Sequence, residues 1–101
     1  MNVKTVFDCG ELTALLSGDI DHHAAGNIRL VIDGEIERTR PRLLLLDFRR
    51  VRFMDSSGIG LIMGRYRQMQ LIGGSVRIAN IPKPLERIIA LSGILTIVKE
   101  Q

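Results

Sequence analysis

Two adjacent serines, Ser56 and Ser57, follow Asp55 and precede Gly58-Ile59-Gly60. An apolar segment ending in Phe53-Met54 leads into them, and a helix-forming pattern follows. A helix start presents unpaired backbone N–H groups and a partial positive charge. A phosphate on either hydroxyl would be held favourably there. Serine is also a preferred N-cap, worth about 1 kcal/mol, and one of the pair suffices for that. The pattern leaves both uses open, capping and phosphate acceptance. Glycines on the helical side clear room for an incoming surface, which favours an accessible acceptor.

Other chemistries fit less well. A nucleophilic serine needs a base and, in the elbow form, glycine two residues before it. Met54 stands there, and His22 and His23 are the only histidines. Gly58-Ile59-Gly60 with Gly64 lacks the lysine and the spacing of a phosphate-cradling loop. A nucleotide-binding or hydrolytic α/β protein is therefore the alternative rather than the first reading. Asp19, Asp21, His22 and His23 resemble a metal cluster, but adjacent helical side chains diverge by about 100°. No further ligands follow at zinc spacing. Asp21 reads as an N-cap, and no metal or other cofactor is expected. Cys9 reads as an inert hairpin residue.

The elements that must position the serines follow from periodicity. Residues 2–8 and 12–17 read as a hairpin turning at Cys9-Gly10-Glu11. Asp21 opens a helix whose apolar stripe is Ala25, Ile28, Ile32 and Ile36, ending at Thr39-Arg40-Pro41. Leu43 to Phe48 is a covered strand. An arginine-rich loop, Arg49 to Arg52, is expected after it. A helix from about Ser57 to Leu71 places Ile59, Ile62, Met63, Tyr66 and Met69 on one face. Gly60 and Gly64 lie on a neighbouring face, where something must approach the backbone. A strand at Ser75–Ala79, a helix begun by Pro84 with Leu85, Ile88 and Ile89 buried, and a strand at Ile94–Val98 complete the chain. The order β-β-α-β-α-β-α-β implies an α/β fold with a mixed, largely parallel sheet and helices packed on it.

At 101 residues, with 46% hydrophobic and 25% charged residues, the chain reads as one domain, 1–101, needing no disulfide or metal to fold. Its longest plain aliphatic run, Leu43 to Leu46, is far too short to span a bilayer. With no signal peptide visible and one cysteine, a cytoplasmic protein without membrane attachment is expected. Net charge is +3, and eleven of the fourteen basic residues are arginine. One tyrosine and three phenylalanines make a poor stacking platform, so nucleic acid is not the expected partner.

Gly18-Asp19-Ile20-Asp21-His22-His23 and Phe53-Met54-Asp55-Ser56-Ser57-Gly58-Ile59-Gly60, continued by Leu61-Ile62-Met63-Gly64-Arg65-Tyr66, resemble the anti-sigma factor antagonists of the STAS domain family. The Asp-His-His segment points to the sporulation branch. The resemblance spans essentially the whole chain and implies a single STAS domain that is not an enzyme. It implies Ser56 as the phosphate acceptor, an anti-sigma factor with serine kinase activity as partner, and a PP2C-type phosphatase that reverses the modification. The unphosphorylated form would bind the anti-sigma factor and free the sigma factor. Asp21, His23, Asp55, Ser57, Gly58 and Gly60 are then expected at the partner surface. Asp55 would position the acceptor, Ser57 would cap the helix, and the two glycines would admit the partner.

Overall fold

The computed structural model describes residues 2–101; Met1 of the expected 1–101 domain lies outside the described residues. Strands β1 (Val3–Asp8) and β2 (Glu11–Ile20) form an antiparallel hairpin. Its two-residue turn holds Cys9 and Gly10 at φ 50° and 81°, the left-handed pair that matches strand twist. Helix α1 (His22–Thr39), strand β3 (Leu43–Met54), helix α2 (Ser56–Leu71), strand β4 (Ser75–Ala79) and helix α3 (Lys83–Ser92) follow. A 3₁₀ turn at Ile94–Thr96 leads to a short β5 (Lys99–Glu100). The sheet order is β1-β2-β3-β4-β5, parallel except for β1–β2.

Burial alternates along the strands. Leu12, Ala14 and Leu16 of β2, Leu44, Leu46 and Phe48 of β3, and Val76 and Ile78 of β4 are buried against the helices. Leu15, Ser75 and Arg77 face outward and are exposed. Successive crossovers that all step one way across a sheet leave their helices on one face. The contacts of α1 with α2 and of α2 with α3 agree with one helical layer.

The expected loop at Arg49 to Arg52 is instead strand. The twelve residues of β3 run alongside the ten of β2, and the register slips between Leu15 and Ser17 and between Gly18 and Asp19. Each slip is a bulge with one extra β3 residue. Buried positions accordingly pass from every second residue, Leu44, Leu46 and Phe48, to every third, Val51 and Met54. The arginines fall on the unburied positions between them, which hides the strand from a period-two reading.

The expected strand at Ile94–Val98 is a helical turn. Val98 N–H donates to the Ile94 carbonyl at 2.8 Å, and these two side chains are buried while Leu95 and Ile97 are exposed. Strand pairing comes only at Lys99 and Glu100. A short apolar run does not distinguish the two by pattern.

The stripe expected on α1 is buried, joined by Ala24. On α2 the buried line is Gly58, Leu61, Ile62, Arg65 and Met69. Ile59, Met63 and Tyr66 are only partly buried against the core. Because α2 meets α1 as well as the sheet, its buried centre is rotated from the expected face. Gly58 fits this packing, since a Cβ there would collide with Cγ and Sδ of Met54. At Gly60 and Gly64 a Cβ would meet nothing within 4 Å. Gly58→Ala should therefore lower stability by about 1–3 kcal/mol through overpacking. Gly60→Ala and Gly64→Ala should each raise it by about 0.5–1 kcal/mol. Urea unfolding of the three variants checks this contrast.

Candidate functional site

The registers of β2 and β3 converge on Ile20 opposite Met54. Each strand then turns into a helix, so the starts of α1 and α2 lie side by side at the C-terminal edge of the sheet. The Asp55 N–H donates to the Ile20 carbonyl at 3.3 Å, tying the second helix start to the first. In open α/β sheets this edge is the usual location of sites.

Both helix starts are capped by aspartate. Asp21 Oδ1 accepts from the Ala24 N–H at 2.8 Å, as its place in the sequence predicts. Asp55 Oδ1 accepts from the Ser57 N–H at 2.8 Å. The expected cap, Ser57, is thus corrected to Asp55. Its short side chain reaches the second N–H of the helix from extended backbone, at φ −98° and ψ −170°. Ser56 is the first helical residue, exposed, and its hydroxyl makes no hydrogen bond among the described residues. Asp55 and Ser57 are half-buried beside it.

Of the other expected site residues, Asp21, His23 and Gly60 are exposed. Gly58 is buried under Met54 and serves packing, so the expectation that it admits a partner is corrected. The histidines lie in the first turn of α1, and among the described residues no three His, Cys, Asp or Glu side chains converge as a metal site. No helix among the described residues is long and apolar enough to cross a membrane. Phe53, at the end of β3, is 53% exposed and adds an apolar side chain to this edge.

A shallow groove of about 500 Å³ runs between α1 and α2 from these helix starts. His22, rather than His23, lines it, with Gly26 and Arg29 from α1 and Ser57, Gly60, Gly64, Arg65 and Arg67 from α2. Arg65 is only 6% exposed, and its Nε lies 2.9 Å from Asp33 Oδ1. That contact is ionic in distance but not aligned as a hydrogen bond, and Nη1 has no partner. Burial pushes the Arg65 guanidinium below its ordinary pKa, Asp33 opposes this, and Arg29 and Arg67 add to it. It stays charged, as arginine does in proteins. The sequence reading missed this arginine, although Arg65 falls three and four residues from Ile62, Leu61 and Met69 on the buried stripe. A cation at such a position requires an acid on the facing helix, and Asp33, one residue after Ile32, supplies it.

The STAS domain model matches residues 3–100. The chain belongs to the STAS domain family. This STAS domain is 35% identical over 88 residues to the anti-sigma F factor antagonist of Paenibacillus polymyxa, a match covering 87% of this chain and 75% of that protein. It superposes on the solved structure of the anti-sigma factor antagonist SpoIIAA in its unphosphorylated form with a TM-score of 0.85 and 27% identity, over 98% of this chain and 87% of that one. The phosphorylated form of SpoIIAA, a Bacillus cell fate determinant, matches with a TM-score of 0.75 and 27% identity, over 98% of this chain and 90% of that one. The single α/β domain with a mixed sheet implied by the motif is the observed fold.

The capping assignment is testable within the domain. Asp55→Ala should lower stability by about 1 kcal/mol, and Ser57→Ala should stay within about 0.5 kcal/mol of the native chain. Thermal unfolding of the two variants decides between aspartate and serine as cap.

Proposed function

We propose that this STAS domain is an anti-sigma factor antagonist gated by phosphorylation of Ser56. Unphosphorylated, it binds an anti-sigma factor that is also a serine kinase, and so releases the sigma factor. Transfer of phosphate from ATP to Ser56 ends the association, and a PP2C-type phosphatase restores it. Sporulation is the proposed setting and the cytoplasm the proposed location. The domain is a substrate and a binding module rather than a catalyst. Asp21, His23, Asp55, Ser57 and Gly60 are the proposed contact residues.

The observation that carries this reading is the state of Ser56. Its hydroxyl is exposed at a helix start and free of structural duty, because the neighbouring Asp55 caps the helix. The names of the similar proteins support the class of partner.

Magnitudes place the effect of the phosphate at the interface. It adds a charge of about −1.5 to −2. At a helix N-terminus an anion gains roughly 0.3–1 kcal/mol, and the Asp55 carboxylate beside it offsets part of that, so the fold tolerates the change. Burying an uncompensated charge against a partner costs several kcal/mol. About 4 kcal/mol is already on the order of a thousandfold in affinity.

Phosphopeptide mapping after incubation with the anti-sigma kinase and ATP should place the modification on Ser56; modification chiefly at Ser57 would overturn the assignment. Ser56→Ala should fold, bind the anti-sigma factor and resist inactivation by ATP. Ser56→Asp should fold and bind roughly tenfold or more weakly. Calorimetric titration compares them, and equal tight affinities would refute gating by charge. Gly60→Val, placed where a Cβ meets nothing, should weaken binding more than it shifts the melting temperature.

A further inference from the structure

We propose that the groove between α1 and α2 is a docking site for an acidic side chain of the protein partner, held by Arg65, Arg29 and Arg67. This deepens the partner-binding reading above and rests on it.

Three independent features converge on the groove. The first is Arg65, whose side chain is only 7% exposed, with Nη1 left without a hydrogen-bond partner. Guanidinium presents five N–H donors in a planar fork that matches a carboxylate. Asp33 satisfies its charge only in part, through one oxygen at 2.9 Å from a side chain that is itself 34% exposed. The second is charge. Arg29 and Arg67 line the same groove and are exposed, giving three guanidinium groups against the single carboxylate of Asp33. The third is shape. Gly26, Gly60 and Gly64 line the groove, and a Cβ at any of them would meet nothing within 4 Å. Internal packing does not require these glycines, yet each weakens its helix. What they provide is room between the helices, so that a short acidic side chain lies against the three arginines that line the groove.

The charge pattern selects the occupant. An apolar segment would further desolvate the guanidinium groups without adding an opposing charge to that of Asp33, which is unfavourable. A carboxylate supplies the negative charge that the three arginines lack, beside the rim guanidinium groups of Arg29 and Arg67 and the Arg65 side chain that lines the groove. Ser57 and Gly60 belong to both the groove and the proposed contact surface, so a partner over Ser56 lies directly above the groove.

The test uses the full domain and the purified anti-sigma factor, without nucleotide. Gly64→Leu fills the groove at a position with no internal neighbour, and Arg29→Glu with Arg67→Glu reverses its rim; both should fold, as circular dichroism and melting temperature will report. Each should weaken binding about tenfold or more, and the native affinity should fall with added salt more steeply than that of the charge-reversed variant. Native-like affinity in both folded variants would overturn the groove while leaving gating by Ser56 intact. Should the native domain not bind the anti-sigma factor at all, the partner reading fails, and a hexaglutamate peptide then decides the groove by itself. In a heteronuclear NMR titration, amide shifts centred on Gly26, Gly60 and Gly64, and lost in Gly64→Leu, support it. Their absence overturns it.

Discussion

The parallel pairing of β2 with β3 is the constraint on which the site depends. Ile20 and Met54 stand opposite each other, and the residue after each is an aspartate that caps a helix. A one-residue slip of either strand would turn its whole apolar set to the other face. The buried leucines of both strands therefore hold the two helix starts level. Two bulges in β3 absorb its two extra residues and restore the inward direction of Val51 and Met54. Without them the long arginine-bearing strand could not end beside β2, and Asp55 would not donate its N–H to the Ile20 carbonyl.

Packing beneath the site is tied to the same register. Met54, the last residue of β3, fills the space that a side chain at position 58 would need. Gly58 thus seats the first turn of α2 on the end of the strand. Farther along, α2 turns a charged residue inward at Arg65, opposite Asp33 of α1. A half-buried ion pair is weak evidence of stability, because desolvation opposes the Coulomb attraction. The rotation of α2 is set by the burial of Leu61, Ile62 and Met69, and it turns Arg65 toward α1 while Gly60 is exposed.

How far the sequence carries this picture depends on the length scale of each signal. The stripe of α1, the Asp21 cap, the strand at Ser75–Ala79 and the serine pair at a helix start are all local patterns, and they are legible without coordinates. The bulged half of β3 is not, because its period follows its partner strand and its arginines imitate a loop. Ile94–Val98 is equally opaque, as four apolar residues and a threonine after a glycine suit a turn or a strand. Gly58 and Gly60 look alike in sequence, and only Met54 folding back over one of them separates a packing glycine from an exposed one. Asp55 and Ser57 have equal chemical claim to the cap in sequence, and the extended backbone at Asp55 decides. The basic groove joins residues from two helices, so it was not visible as a motif.

The aspartate cap bears on why the proposed phosphate acceptor sits where it does. A residue that must exist in two charge states cannot also supply a structural hydrogen bond, since the bond would change with each cycle and shift the helix. Here the roles are separated by one position. Asp55 holds the Ser57 N–H through its carboxylate, while Ser56 begins the helix as an exposed residue. With phosphate on Ser56, as proposed, the helix start would keep its cap, and the partial positive charge of the remaining N–H groups would tolerate the added anion. The price is two negative groups side by side once phosphate is attached, which limits any local gain from the helix field. A modification that neither builds nor breaks the fold then acts through whatever surface lies over it, and its effect scales with how fully that surface is desolvated.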